Sequence, residues 1–182
     1  MRDLADESHI DQFMRALGRA ARSEGRVYLT GGATAVLLGW RDSTIDVDIK
    51  VVPDNDELLR EIPRLKERLN LNVELAAPSD FIPVPDHWEE RSPLIRREGK
   101  VAFHHFDLVA QALAKAERGH DQDRRDVRQM IASGLVDPAD ALAQFEAIEP
   151  ELYRFPAIDP ASFRESVEEL FRSTESQRSN PR

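Results

Sequence analysis

The chain has 182 residues, with 34 acidic and 25 basic side chains and a formal net charge of -9. The acidic excess argues against broad, nonspecific nucleic-acid binding, and the absence of cysteine excludes disulfides and thiolate metal sites. There is no apolar run of about 18 residues and no charged-then-apolar leader. We therefore expect a cytoplasmic protein that does not associate with membranes.

Hydrophobic periodicity and turn residues predict the elements of the first half. Ser8, with Asp11 three residues later, is expected to start the first helix, and Pro63 to kink or split a later one. The predicted elements are a helix over 8–23, a strand over 26–30, a short apolar helix over 33–39, a strand over 45–49, a helix after residue 54 and a strand over 71–75.

The second half reads as a long ordered loop, a hairpin and then helices only. The loop spans 77–92, the hairpin strands span 94–97 and 100–106, and helices span 108–118 and 122–133. Asp137-Pro138 and Asp159-Pro160 are expected to start two more helices. These patterns predict an α/β fold with a small mixed sheet: an α/β core over 1–106, a helical portion packed on it over 107–172 and a disordered tail over 173–182.

Two aspartates alternate with apolar residues in the segment 45–49, where Asp46 and Asp48 lie between Ile45, Val47 and Ile49. This period of two predicts a strand with both carboxylates on one face, roughly 6.6 Å apart. Like charges on one face repel unless a cation lies between them, and Mg²⁺ prefers oxygen ligands. The pair predicts a divalent-metal site; an exposed acidic strand face is the alternative.

A glycine pair, Gly31-Gly32, precedes the short apolar helix. Glycines permit a tight turn that a phosphate can approach, and the free N–H groups at a helix start can bind an anion. Thr34 and Ser43 offer hydroxyls for phosphate or for metal-bound water.

Gly-Gly after an apolar residue, a short helix and then Asp-x-Asp on a strand together resemble the nucleotidyltransferase superfamily, the polymerase-beta-like fold. The resemblance covers about residues 25–130, with thirteen residues between Gly32 and Asp46. It implies that Gly31 and Gly32 hold a nucleoside triphosphate, and that Asp46 and Asp48 hold Mg²⁺ or Mn²⁺. Segment 107–126 resembles the bacterial toxin–antitoxin and abortive-infection branch, in which a helical lysine and a downstream aspartate join the site.

That branch implies roles for a cluster of charged residues in the helical portion. Lys115 would contact phosphate with Arg118 beside it, and Asp123 or Asp126 would anchor the helix to Lys115 or orient it. The alternative for the basic pair is a solvated helix face. Asp121 and Asp123 also suit the first turn of a helix without any further role.

Glu74 is the candidate third carboxylate, because the resemblance implies that its strand pairs next to the strand of Asp46 and Asp48, and it shares a polar face with Asn72. It would complete the metal site or act as a base toward the acceptor hydroxyl, and an exposed strand glutamate is the alternative. Asp80 and Asp86 are weaker candidates because turns collect aspartate.

Other basic residues permit two interpretations. Two stripes could follow an RNA backbone, although charge balance in an acidic protein is favoured; they are Arg124, Arg125 and Arg128, and Arg91, Arg96, Arg97 and Lys100. The adjacent rings of His104 and His105 should face opposite sides of a strand, so we assign them no metal.

The function that we favour is metal-dependent transfer of a nucleoside monophosphate from an NTP to a hydroxyl on RNA, with tRNA as one case, or on a protein. The setting would be a toxin–antitoxin or phage-defence system with a cognate toxin or antitoxin as partner. The first alternative is a catalytically inactive antitoxin or regulatory partner with the same fold. The second is a nucleotide- or RNA-binding module without turnover.

Overall fold

The computed structural model describes residues 4–178, with side chains through Arg172. The fold is α/β, as predicted, with one five-stranded mixed sheet and eight α-helices in these residues. The strands are β1 Gly25–Thr30, β2 Asp46–Val52, β3 Asn72–Glu74, β4 Leu94–Glu98 and β5 Val101–His105. The helices are α1 Glu7–Ala20, α2 Gly31–Leu37, α3 Asp56–Arg68, α4 Trp88–Arg91, α5 Leu108–Arg118, α6 Asp121–Ala132, α7 Pro138–Ile148 and α8 Pro160–Arg178.

The strand order is β3-β2-β1-β5-β4, with β1 at the centre. β1 pairs antiparallel with β2 and parallel with β5, while β3 adds parallel to β2 and β4 adds antiparallel to β5. The last pair is the predicted hairpin. β2 lies between two strands, so its side chains alternate between two faces of the sheet.

One face of the sheet carries the core of the first half of the chain. Along β2, Val47, Ile49 and Val51 are buried, whereas the residues between them are only half-buried. The apolar faces of α1, α2 and α3 pack on this side. The helix residues in this cluster include Ile10, Phe13, Met14, Leu17, Ala33, Val36, Leu58, Ile62 and Leu65.

The chain divides into two compact units. The first contains residues up to Ala77 together with Ser92–Phe106, and therefore the sheet and α1–α3. The second contains Pro78–Arg91 and the chain from Asp107 onward, and therefore α4–α8. Segment 78–91, which we placed in the α/β core, thus belongs to the helical unit. No helix in residues 4–178 is long and apolar enough to cross a membrane.

The first helix differs from its prediction at both ends. Asp6, rather than Ser8, is its N-cap and accepts a hydrogen bond from the His9 backbone N–H at 2.9 Å. The helix ends at Ala20, and the Arg22 backbone N–H donates to the Glu57 carboxylate at 2.8 Å. A residue of α3 therefore takes the N–H that would otherwise continue the helix, a contact between sequence positions 35 residues apart.

Two other predictions need correction. The second helix begins at Gly31, so the glycine pair opens this helix instead of preceding it. The predicted loop over 77–92 contains a 3-10 turn, Pro78–Asp80, and the short helix α4. Of the two effects predicted for Pro63, a split does not occur, because α3 continues across it. The α8 helix includes residues 173–178 of the predicted tail, and residues 179–182 lie outside the described residues.

Candidate functional site

Four polar residues share one face of β2 and β3. Asp46 and Asp48 lie opposite the apolar face of β2 and are half-buried. In the parallel pairing, Asp46 is next to Asn72 and Asp48 is next to Glu74. Residues paired in this way project from the same side, so the strand register brings the predicted Asp46, Asp48 and Glu74 onto one surface, which we call the acidic face.

Asn72 connects two of the carboxylates on the acidic face. Its Nδ2 donates to Asp46 Oδ1 at 2.5 Å and to Glu74 Oε1 at 3.0 Å. An amide that donates to two anions offsets part of their repulsion. Asn72 is a residue of the site that the sequence pattern does not predict. Its position two residues before Glu74 was the available signal, but the contact with Asp46 depends on strand pairing.

The glycine pair lies against the acidic face. Gly31 has φ +60°, a left-handed conformation that favours glycine, and a Cβ added to it would lie 2.9 Å from Asp48 Oδ2. The Asp48 carboxylate therefore lies against the start of α2. A Cβ added to Gly32 would lie 2.0 Å from the hydroxyl oxygen of Thr44 and 2.6 Å from its Cβ.

Replacing Gly32 by alanine is expected to destabilise the protein by about 1–3 kcal/mol, the range for overpacking. Thr44 cannot move freely, because its backbone N–H and C=O both bond to Ala5 and its hydroxyl donates to the Asp46 carbonyl. Urea unfolding would measure the loss. Adding Thr44→Gly should recover part of it in a double-mutant cycle, and strictly additive effects would contradict this steric explanation.

Thr34, the predicted phosphate-binding hydroxyl, is buried. Its Oγ1 donates to the Leu29 carbonyl at 3.2 Å and lies 3.1 Å from His105 Nδ1. Burial and the neighbouring His104 lower the pKa of His105 to about 4. His104 lies on the other side of the strand and stacks on Tyr28 with ring centroids 5.2 Å apart. The two imidazoles therefore have different neighbours.

Stability should fall as the pH drops from about 6.5 toward 4. In this window the unfolded chain protonates at His105 while the folded protein does not, so protons favour unfolding. The full shift corresponds to about 3 kcal/mol at most. Urea unfolding of wild type and His105→Gln at several pH values would measure it. An equally steep loss in the variant would assign the effect to other groups.

The predicted basic and acidic residues of α5 and α6 form a buried cluster within the second unit. Lys115 Nζ lies 2.6 Å from Asp126 Oδ2 and 3.3 Å from Asp123 Oδ1, and all three side chains are at least 93% buried. Gln122 also donates to Asp126, at 3.0 Å. Lys115 thus meets two carboxylates on the next helix.

Arg118 completes this cluster from the surface. Its Nε and an Nη donate to Asp123 at 2.7 and 2.5 Å, while its own side chain is 59% exposed. Burial opposes the ionisation of Asp123, but hydrogen bonds from Arg118 and the charge of Lys115 outweigh it, so the pKa of Asp123 lies below its usual value. The geometry therefore keeps the carboxylate charged.

Three of the seven basic residues in the two predicted stripes form ion pairs with carboxylates of this chain. Arg91 contacts Asp107 and Asp140, Arg96 contacts Asp11 and Glu98, and Arg124 contacts Glu169. These arginines hold neighbouring elements together, and their charges are already matched by carboxylates.

The acidic face fits a divalent cation in the type of its donors, since every charged group among its four residues is a carboxylate. Among the side chains described, up to Arg172, however, no group of three or more His, Asp or Glu residues lies close enough to hold a metal ion. Asn72 lies between Asp46 and Glu74, and Asp48 lies against Gly31. Metal binding by Asp46 and Asp48, with Glu74 completing the ligand set, therefore stays a prediction.

The mixed sheet has an Asp-x-Asp strand next to a helix that opens with Gly-Gly, which is the arrangement that the resemblance to nucleotidyltransferases implies. Residues 8–149 of this chain match the family described as nucleotidyltransferase of unknown function (DUF6036), and the chain belongs to that family. No curated protein and no solved structure shows significant similarity to the chain.

Proposed function

We propose that the protein is a metal-dependent nucleotidyltransferase that moves a nucleoside monophosphate from an NTP to a hydroxyl group on RNA or on a protein. The observation that supports this most is the acidic face, where Asp46, Asp48 and Glu74 are brought together beside the glycine pair. Membership in a nucleotidyltransferase family supports the same chemistry.

Asp46 and Asp48 are the residues that would hold Mg²⁺ or Mn²⁺. A bound divalent ion would neutralise negative charge on the phosphates, which is the main requirement of phosphoryl transfer. Asn72 positions Asp46 through its hydrogen bond. Glu74, which is exposed, would take the proton of the acceptor hydroxyl or complete the ligand set.

Gly31 and Gly32 would receive the phosphates of the nucleotide, because neither carries a side chain that would keep them away from the backbone. Lys115 and Arg118 are better explained as residues that hold α5 against α6. Lys115 already contacts Asp123 and Asp126, so its charge is balanced within α5 and α6. Thr34 would hold α2 in place through its buried contacts with Leu29 on β1 and His105 on β5.

A toxin–antitoxin or phage-defence setting is the biological context that we propose, on the resemblance of segment 107–126 to that branch. A cognate toxin or antitoxin would then be the protein partner. In that setting the same fold could serve an inactive regulatory member, and transfer of label from an NTP distinguishes the enzyme from such a member.

The test is incorporation of radiolabel from each of the four α-phosphate-labelled NTPs, with Mg²⁺ or Mn²⁺, into total RNA and total protein. Label in one fraction would show that the protein is an enzyme and would identify its acceptor as RNA or protein. Protein that remains folded but transfers no label with any nucleotide, with either metal, would favour the inactive-partner function. Chelation of the metal should abolish transfer and be reversed by adding it back.

A further inference from the structure

A cavity of about 560 Å³ lies between α1 and α3 in the first unit. Three arginines line it, Arg15 and Arg19 from α1 and Arg68 from the end of α3. The volume is within the range of roughly 300–1,000 Å³ that is typical of sites for small molecules. None of these arginines belongs to the acidic face or to the Lys115 cluster.

The cavity exists because α1 presents short side chains to α3. The two helices run antiparallel, since the Arg22 backbone N–H just beyond α1 donates to Glu57 in the first turn of α3. Ala16 and Ala20 lie four residues apart on one side of α1, and both line the cavity. Their single-carbon side chains leave open the space that larger residues would fill.

Two of the three arginines have no partner among the residues that the structure describes. Arg19 and Arg68 are exposed, and neither forms a hydrogen bond or an ion pair with these residues. Arg15 lies 3.5 Å from Asp11 and 4.0 Å from Glu98. The helix dipole favours Arg19 and Arg68 in the last turns of their helices. It does not explain why both share a cavity with Arg15, which lies in the middle of α1.

The charge of the cavity opposes that of the whole protein. Glu61 also lines it, and the Glu61 carboxylate accepts a hydrogen bond from Arg64 at 3.2 Å. Three guanidinium groups and one carboxylate give a formal charge of +2, in a chain whose net charge is -9. A positive cavity on an acidic protein attracts anions locally.

The guanidinium group and the size of the cavity restrict the class of anion. Each planar guanidinium can donate two parallel hydrogen bonds to one phosphate group. Along α1 the lining runs from Gln12 to Arg19, seven residues or roughly 10 Å. A stable protein partner would cover about 800 Å² and 20–30 residues, whereas eight residues line this cavity. These dimensions favour a small ligand over a macromolecule.

We propose that the cavity binds a small anion with two or more phosphate groups, at a site separate from the acidic face. The helices α1 and α3 pack on the apolar face of the sheet, whereas Asp46 and Asp48 lie on the opposite face. Binding by guanidinium groups needs no metal ion. The inference is therefore independent of the proposed function, and nucleotidyl transfer is not its readout.

The test is calorimetric titration of the full chain with inorganic triphosphate in the presence of EDTA. The double variant Arg19→Met, Arg68→Met should bind about a hundredfold more weakly than wild type, about tenfold for each arginine. The matched control is Arg97→Met, Arg128→Met. These two arginines are also exposed and without partners among the described residues, but they lie outside the cavity, so the control should bind like wild type.

A variant with the opposite expected effect makes the test sharper. Glu61→Gln removes the carboxylate that repels an anion in the cavity, so it should raise the affinity for triphosphate by about fivefold. A loss of structure would not produce such a gain. Melting temperatures of all variants would show that they are folded.

Titration with ATP and with citrate identifies the ligand chemistry. Equal affinity for ATP and triphosphate would show that only the phosphate groups are recognised, and tighter binding of ATP would show that the nucleoside contributes. Three results would overturn the inference: no binding of triphosphate to folded wild type at millimolar concentration, equal losses in the two double variants, or citrate binding as tight as triphosphate binding.

Discussion

Replacing Asp46 and Asp48 together by asparagine is expected to lower nucleotidyl transfer by about a thousandfold or more. The two carboxylates are the only acids on β2, and they lie half-buried on the face that the glycine pair adjoins. Asparagine keeps the size and one oxygen of each side chain but removes both charges, so the affinity for a divalent cation should collapse. Label incorporation at saturating NTP measures the effect.

Two further measurements make this result specific. Asp54→Asn is the control, because Asp54 is an exposed aspartate in the loop between β2 and α3, and it should transfer label like wild type. Binding of Mn²⁺ by calorimetry should be lost in the double variant and kept in the control. If the folded double variant transferred label as fast as wild type, the acidic face would have no role in the reaction.

Lys115→Met is expected to destabilise the protein by about 3–5 kcal/mol, the largest stability effect among these variants. Methionine fills a similar volume but leaves Asp123 and Asp126 buried next to each other without the ammonium that both contact. Chemical denaturation with urea, followed by circular dichroism, measures the free energy of unfolding. The loss should be smaller at acidic pH, where the carboxylates accept protons in the variant.

The matched control is Arg118→Met, which removes a cation from the same Asp123. Because the Arg118 side chain is 59% exposed, we expect a loss of about 1 kcal/mol or less. Adding Asp123→Asn and Asp126→Asn to Lys115→Met should recover part of the stability, since no buried charge is then left alone. A Lys115→Met protein as stable as wild type would show that the buried pair contributes nothing net.

In the wild-type protein, acid should reduce the stability that the cluster of Lys115, Asp123 and Asp126 contributes. The pKa of Asp123 is lowered in the folded protein, so its ionised form contributes stability above the ordinary value of 3.8. That contribution is lost as the pH falls through the lower, folded-state pKa. The His105 effect, in contrast, develops between about 6.5 and 4, so the two can be separated along one pH series.

Elements with a local pattern were predictable from the sequence. The alternation of Asp46 and Asp48 with apolar residues located β2, which begins at Asp46 and runs to Val52, beyond the predicted 45–49. The capping aspartate Asp137 with Pro138 located the start of α7. The α5 helix has its predicted bounds, ending before Gly119 at φ +70°. In each case the deciding interactions lie within a few residues along the chain, so the spacing of residues is enough to predict the element.

The sequence by itself determined the fold class and the segments that carry the Asp pair and the glycine pair, because these depend on short-range periodicity and on conformations open to glycine. Only the tertiary structure decided the partners of the charged side chains. Strand register placed Asn72 between Asp46 and Glu74, while helix packing brought Arg19 and Arg68 to one cavity and buried Lys115 between Asp123 and Asp126. An ion pair requires two opposite charges within a few ångströms of each other, and residues far apart in sequence come that close only once the chain has folded.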